Sequence, residues 1–164
     1  MNTTAQTTPQ ERKISIITQN RKARHDYFII DTVETGIALV GTEVKALREG
    51  RCNLQDSFAM FEGEKGTEHP ELWVSGMHIS PYSHGNTQNH EPTRKRKLLL
   101  HRHQLDKLYH RTLEKGIALV PLSLYFSGPY VKVELGLAQG KRKYDKRHDI
   151  KERDIRRSMQ RGED

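Results

Sequence analysis

The chain has 164 residues, enough for one domain with tails. Only 34% of them are hydrophobic, and a net charge of +7 with a pI of about 9.6 favours a polyanionic partner, nucleic acid before an anionic membrane surface. The single cysteine, Cys52, excludes an intrachain disulfide and a cysteine-based zinc site. The polar start lacks the apolar core of a secretory signal, and no apolar run reaches membrane-spanning length, so a cytoplasmic protein without a membrane partner is expected.

Residues 1–18 are Thr/Gln-rich and then mixed, which reads as a disordered lead-in. Asn20-Arg21-Lys22-Ala23-Arg24-His25-Asp26 is a short basic segment of about one helical turn. Residues 27–40 read as a long strand, with Tyr27, Ile29, Val33, Ile37 and Leu39 on one parity and Glu34 on the exposed one. Gly36 inside it predicts a bulge or bend, the device by which a barrel strand serves two sheets. Gly41-Thr42 opens a short helix with Thr42 as N-cap, Val44 and Leu47 as its apolar edge, and Gly50 just past its end.

Residues 57–62 and 72–79 are strand candidates separated by a polar loop, and residues 80–93 form a long loop rich in Ser, Asn, His, Gly and Pro. Arg94-Lys95-Arg96-Lys97 runs into Leu98-Leu99-Leu100. A helix over 103–115 follows from the stripe Leu105, Leu108, Tyr109, Leu113, ended by Gly116. Residues 117–126 are a strongly apolar strand, Ser127-Gly128-Pro129 turns the chain, and residues 130–138 return as a hairpin, Val131, Val133, Leu135 and Leu137 alternating with Lys132 and Glu134.

After Gly140 the character changes. Residues 141–164 carry ten Lys/Arg against six Asp/Glu, with Ile150, Ile155 and Met159 as the main apolar residues. That is too little to dock a tail, so disorder is expected in the free chain, with pairs such as Glu152 and Arg156 supporting a helix once a partner is present. The pattern predicts a mainly β fold with helices: an OB-fold-like closed barrel with flanking helices over 19–140, carrying a flexible basic tail over 141–164.

Two kinds of chemistry compete. His101, His103 and His110 cluster, but no Asp/Glu stands at a recognisable ligand spacing from them, and there is no phosphate loop, nucleophile elbow or paired-carboxylate motif. No enzyme, metal or cofactor is therefore expected. The basic runs at Arg21-Lys22, at Arg94–Lys97 and in the tail are individually compatible with a solvated surface. Together, with His25, Tyr27, His101 and Tyr144 beside them, they supply phosphate contacts and stacking surface for single-stranded or looped RNA.

Five segments in order resemble the SsrA-binding protein family (small protein B, SmpB): Asn20-Arg21-Lys22-Ala23-Arg24-His25, Glu34-Thr35-Gly36-Ile37, Gly41-Thr42-Glu43-Val44-Lys45-Ala46-Leu47-Arg48, Arg96-Lys97-Leu98-Leu99-Leu100-His101 and Gly140-Lys141-Arg142-Lys143-Tyr144-Asp145-Lys146-Arg147. The likeness covers about 20–153. It implies an OB-fold barrel that binds the tRNA-like domain of transfer-messenger RNA and acts in trans-translation. There the complex, with elongation factor Tu as delivery partner, enters the A site of a stalled ribosome, and the nascent chain is tagged. The tail would reach the small-subunit decoding centre and the vacant mRNA channel and turn helical there.

By position, Glu34, Leu99, His101 and Lys132 match the family's RNA-binding face, to which the basic Arg21, Lys22, Arg24, Lys45 and Arg48 are added. Asp145, Lys146 and Arg147, within Gly140, Lys141, Arg142, Lys143, Tyr144, Asp145, Lys146 and Arg147, match the ribosome-directed tail. His101 stands where some relatives have Asn, and Tyr144 where some have His. The alternatives are another OB-type translation factor, or an RNA-processing enzyme using His101 and His103.

Overall fold

The structure is a computed structural model that describes residues 12–63, 70–84, 89–141 and 143–160, the side chains of 143–150 and 160 aside. In chain order the elements are β1 (Ile14–Gln19), α1 (Arg21–Asp26), β2 (Tyr27–Ile37), α2 (Gly41–Arg48), β3 (Cys52–Asn53), β4 (Phe58–Glu62), β5 (Glu71–Ser75), β6 (His78–Ile79), β7 (Arg96–Leu99), α3 (Arg102–Thr112), β8 (Ile117–Ser127), β9 (Tyr130–Gly140) and α4 (Lys143–Gln160). The main sheet runs β1-β8-β4-β5-β7-β2-β9 and closes on itself because β8 also pairs with β9. This is the small barrel with flanking helices that the pattern predicts.

The β8–β9 hairpin is the longest ladder, from Ser127↔Tyr130 at the Gly128-Pro129 turn to Ile117↔Gln139. Gly128 at φ 59° supplies the left-handed turn residue. Inward-facing Leu119, Leu124, Val133, Leu135 and Leu137 meet Leu72, Val74 and Leu98 in the core, and α2 adds Ala46 and Leu47. A second, smaller cluster (Ala23, Val120, Leu122, Ala138) lies under α1. It makes the far half of β9 buried on both faces, which the simple alternation of its sequence does not show.

Several expectations are corrected. Residues 14–18 are not a disordered lead-in: Ile14–Gln19 is a strand because its β-branched residues lie in register against β8, Ile16 opposite Tyr125 and Gln19 opposite Ser123. The lead-in before residue 12 lies outside the described residues, as do most of the loop expected over 63–70 and part of that over 80–93. The strand expected to reach Val40 ends at Ile37, where Ala38 N–H turns to the Lys97 carbonyl at 2.9 Å. Its register shift lies between Ile29 and Asp31 rather than at Gly36. Gly36 instead is where β2 pairs on both sides, with Lys132 on β9 and with Leu99 on β7.

The N-cap of α2 is Val40, not Thr42; the Glu43 carboxylate accepts the Val40 N–H at 3.0 Å. The strand expected over 72–79 is broken at Gly76, whose φ of 77° no β-branched residue would tolerate, into β5 and β6. The helix expected over 103–115 stops at Thr112 and leaves Leu113 exposed. The tail expected to be disordered is helical as α4, with residues 151–159 exposed throughout. Its helix-forming Lys, Arg, Glu and Gln residues and opposite charges spaced i,i+4 give the local reason.

Candidate nucleic-acid interface

The outer face of the barrel carries a row of residues in direct cross-strand register over five strands: Ile16, Tyr125, Lys132, Gly36 and Leu99. One pleat along lies a second row, Gln19, Ser123, Glu134 and Glu34. Because directly opposed residues point to the same side, both rows face outward. Gly36 gives the surface its depression. A Cβ there would stand 3.2 Å from Leu99 Cβ, and its absence leaves a groove lined by Val33, Glu34, Gly36, Leu99, Leu100, His101, Gln104 and Lys132.

The four positions singled out by resemblance, Glu34, Leu99, His101 and Lys132, therefore converge on one groove from β2, β7, the start of α3 and β9. Leu99 is exposed while its neighbour Leu98 is buried in the core, so the alternation of β7 itself points Leu99 outward. His101 is the N-cap of α3: its carbonyl accepts the Gln104 and Leu105 N–H groups at 3.0 Å each, and its side chain makes no capping bond. Its ring is free to lie against the His103 ring, centroids 6.1 Å apart and nearly parallel. Among the described residues no ion pair or hydrogen bond engages Lys132, although Glu34 and Glu134 both flank it on the same face.

Glu34 is anchored by a residue that sequence reasoning missed. The Tyr125 phenol, from β8, donates to Glu34 Oε2, and burial together with the neighbouring Glu34 and Glu134 carboxylates holds that phenol well above its ordinary pKa. It stays a donor. Beyond it, Arg24 from α1 reaches Glu134 at 3.3 Å, so this basic residue joins the same polar strip.

The remaining predicted basic residues lie elsewhere. Lys22 pairs with Asp56 at 2.8 Å, which raises the lysine's pKa. Arg21 is exposed on α1. Lys45 lies 5.4 Å over the Tyr82 ring and Arg48 is exposed on the last turn of α2. Lys141 and Gly140 mark the far end of β9, where Lys141 N–H bonds the Asp26 carbonyl at 3.0 Å and its ammonium lies 4.9 Å over the Phe28 ring. Arg142 lies outside the described residues, while Lys143, Tyr144, Asp145, Lys146 and Arg147 are the first residues of α4.

The basic run Arg94–Lys97, read as a phosphate-binding surface, is corrected. Arg96 is fully buried and bonds the equally buried Glu43. Its other N–H groups reach the Met77 carbonyl at 2.8 Å and the Pro92 carbonyl at 3.0 Å. Arg94 completes the pair from the other carboxylate oxygen. Burial raises the Glu43 pKa, but the Arg94, Val40 N–H and Arg96 donors outweigh it and the net direction is down. Lys95 pairs with Glu62 and Lys97 with Glu71 at 3.1 Å. Asn20 is likewise structural: it caps α1 through Ala23 N–H and donates to the Leu54 and Pro121 carbonyls at 3.1 and 3.0 Å.

Among the described residues no three His, Cys, Asp or Glu side chains lie together as a metal site requires. Burial pushes the Cys52 thiol up to about 11, so it is protonated and a poor nucleophile. No helix among them is long and apolar enough to cross a membrane.

A closed β-barrel with a groove on its outer face that sets a lysine beside a carboxylate, a stacking ring at the rim and a basic surface defines a nucleic-acid-binding barrel of the kind that reads RNA. The chain belongs to the SmpB family: the family model described as SmpB protein matches residues 17–163. Similar proteins include the SsrA-binding protein of Carboxydothermus hydrogenoformans, 55% identical over 88% of this chain and 93% of that one. That of Bacillus subtilis is 52% identical over 89% and 90%. A solved structure described as "tmRNA-SmpB: a journey to the center of the bacterial ribosome" is 47% identical, with a TM-score of 0.63 over 81% of this chain and 93% of the other.

Proposed function

We propose that the protein is an RNA-binding adaptor: it binds transfer-messenger RNA at its tRNA-like domain through the Glu34 groove and brings it to the A site of stalled ribosomes for trans-translation. The convergence of Glu34, Leu99, His101 and Lys132 on one groove carries this reading, beside membership of a family whose members are described as SsrA-binding. Arg24, Arg21 and Lys22 on α1, with Lys45 and Arg48 on α2, add phosphate contacts around the barrel. Elongation factor Tu is the delivery partner. The tail from Gly140 onward serves the ribosome rather than RNA capture: Tyr144, Asp145, Lys146 and Arg147 at the start of α4 reach the decoding centre, and the rest of the helix lies in the empty mRNA channel. The exposure of residues 151–159 supports this, since a stretch of helix exposed on every side is available to a new partner.

The test sets binding beside tagging. The chain truncated after Gly140 is expected to bind transfer-messenger RNA within about twofold of the full chain, a small fraction of the 1.4 kcal/mol that a tenfold change represents. It is expected to support no tagging on stalled ribosomes. Tagging at the normal rate by the truncated chain overturns the division of labour. Affinity should fall linearly on a logarithmic salt scale as phosphate contacts release counterions, and a flat response overturns the phosphate contribution.

A further inference from the structure

The chain leaves the barrel at one point after β9, and that point is fastened twice. Beyond the last rung of the β2–β9 ladder, Tyr27↔Gly140, the Lys141 N–H donates to the Asp26 carbonyl at 3.0 Å. Asp26 is the last residue of α1, so this bond also satisfies one of the carbonyls that a helix end leaves open. α1 is a firm anchor: Asn20 caps it and ties it to Leu54 and Pro121, and Ala23 packs into the smaller apolar cluster. The second fastening is the Lys141 ammonium, 4.9 Å over the Phe28 ring. Phe28 belongs to neither apolar cluster and is 45% exposed, so its ring is available to the cation rather than committed to the core.

Two fastenings on one residue do more than hold it in place. The backbone bond fixes the peptide plane that enters Lys141. The cation–π contact draws the side chain to one side of that plane and so narrows the rotation about N–Cα. Only residue 142 separates Lys141 from Lys143, the first residue of α4. With Lys141 held, the heading of α4 is left to ψ of residue 141 and the two soft dihedrals of residue 142. We infer that Phe28 is a positioning residue for the tail: its ring clamps the root of α4 through Lys141 and aims the helix that the ribosome receives.

This inference rests on the reading of the tail as the ribosome-directed part of the chain, and the test reads geometry and activity separately. Spin labels are placed at Glu114→Cys, exposed just after α3, and at Ser158→Cys, exposed on α4, in a Cys52→Ala background. The distance between them is measured by pulsed electron resonance on the full chain, with and without transfer-messenger RNA. RNA affinity and tagging on stalled ribosomes are measured on the same variants without labels.

Phe28→Ala and Lys141→Met are each expected to broaden the distance distribution and to leave RNA affinity within about twofold. Each should slow tagging about two- to fivefold, the population ratio to which an exposed cation–π contact corresponds. Phe28→Trp, which keeps a ring face, should match the wild-type chain in both readouts; Phe28→Leu, which keeps only apolar bulk, should behave as Phe28→Ala. The double variant Phe28→Ala/Lys141→Met should be no slower than either single one, a non-additivity that two unrelated roles would not show. An unchanged distribution in Phe28→Ala overturns the inference. So does tagging at the wild-type rate despite a broadened distribution, rescue by Phe28→Leu, or a loss of RNA affinity that matches the loss of tagging. Should Phe28→Ala fail to fold, Lys141→Met, which leaves β2 whole, decides the same question. Failure of the wild-type chain to bind the RNA or support tagging overturns the functional reading, and the distance measurement then decides the clamp by itself.

Discussion

Arg94–Lys97 and the Glu34–Lys132 groove are both charged stretches of the same barrel, and they do opposite work. The first is the denser run of positive charge, yet each of its four side chains is paired with a carboxylate of the protein itself, two with Glu43 and one each with Glu62 and Glu71. The second holds a single lysine between two glutamates, and among the described residues none pairs with it. Charge that holds a fold is charge already answered. What is left for a ligand is counted in unanswered groups, and one open lysine in a groove outweighs four paired cations in a row.

The difference can be broken at either end. The largest effect is expected at Arg96→Met, which strips a buried carboxylate of its partner; loss of about 3–5 kcal/mol of stability, read by urea unfolding, is the expected cost. A loss below 1 kcal/mol would show the pair to be dispensable. Acid should expose the same pair. Glu43 titrates lower in the folded chain than when unfolded, so its contribution is complete above the unfolded carboxyl range near about 4.3 and drains away as pH falls through the folded value. Glu43→Gln is expected to flatten that part of the stability profile, measured by chemical denaturation across pH 2–6; an unchanged slope would place the acid sensitivity elsewhere.

A smaller effect, and of a different kind, follows at Lys132→Met: RNA affinity down about tenfold with stability within about 0.5 kcal/mol of wild type, because no folded-state ion pair is lost. The smallest effects belong to Lys97→Ala and Lys95→Ala, exposed pairs worth under about 1 kcal/mol each and under about twofold in RNA affinity. A tenfold loss of RNA affinity at Lys97→Ala would erase the contrast between the two regions.

Local pattern made the β8–β9 hairpin, α1, α3 and the closed barrel legible, because alternation, a Gly-Pro turn and an apolar stripe are short-range signals. The groove's four matching positions came from motif resemblance, and only the fold brings them together. What stayed hidden depends on distance along the chain. Arg96 reads like any surface arginine because its partner Glu43 lies 53 residues away. Tyr125 reads like one more apolar position of β8, and its hydroxyl finds Glu34 across 91 residues. β1 was concealed by a short Ile-containing run following a polar start, and it exists because β8 has an open edge to receive it.

The ladder between β2 and β9 has a mechanical meaning. It is hydrogen-bonded from Gly36↔Lys132, at the groove, to Tyr27↔Gly140, where the last stretch of chain departs. At about 3.3 Å per residue the two ends stand roughly 30 Å apart. Such a strut neither stretches nor slips register without turning a whole face of side chains inside out. The chain that leads into the terminal helix thus leaves the barrel at a fixed offset from whatever is held at the groove, like a bracket bolted to a measured beam.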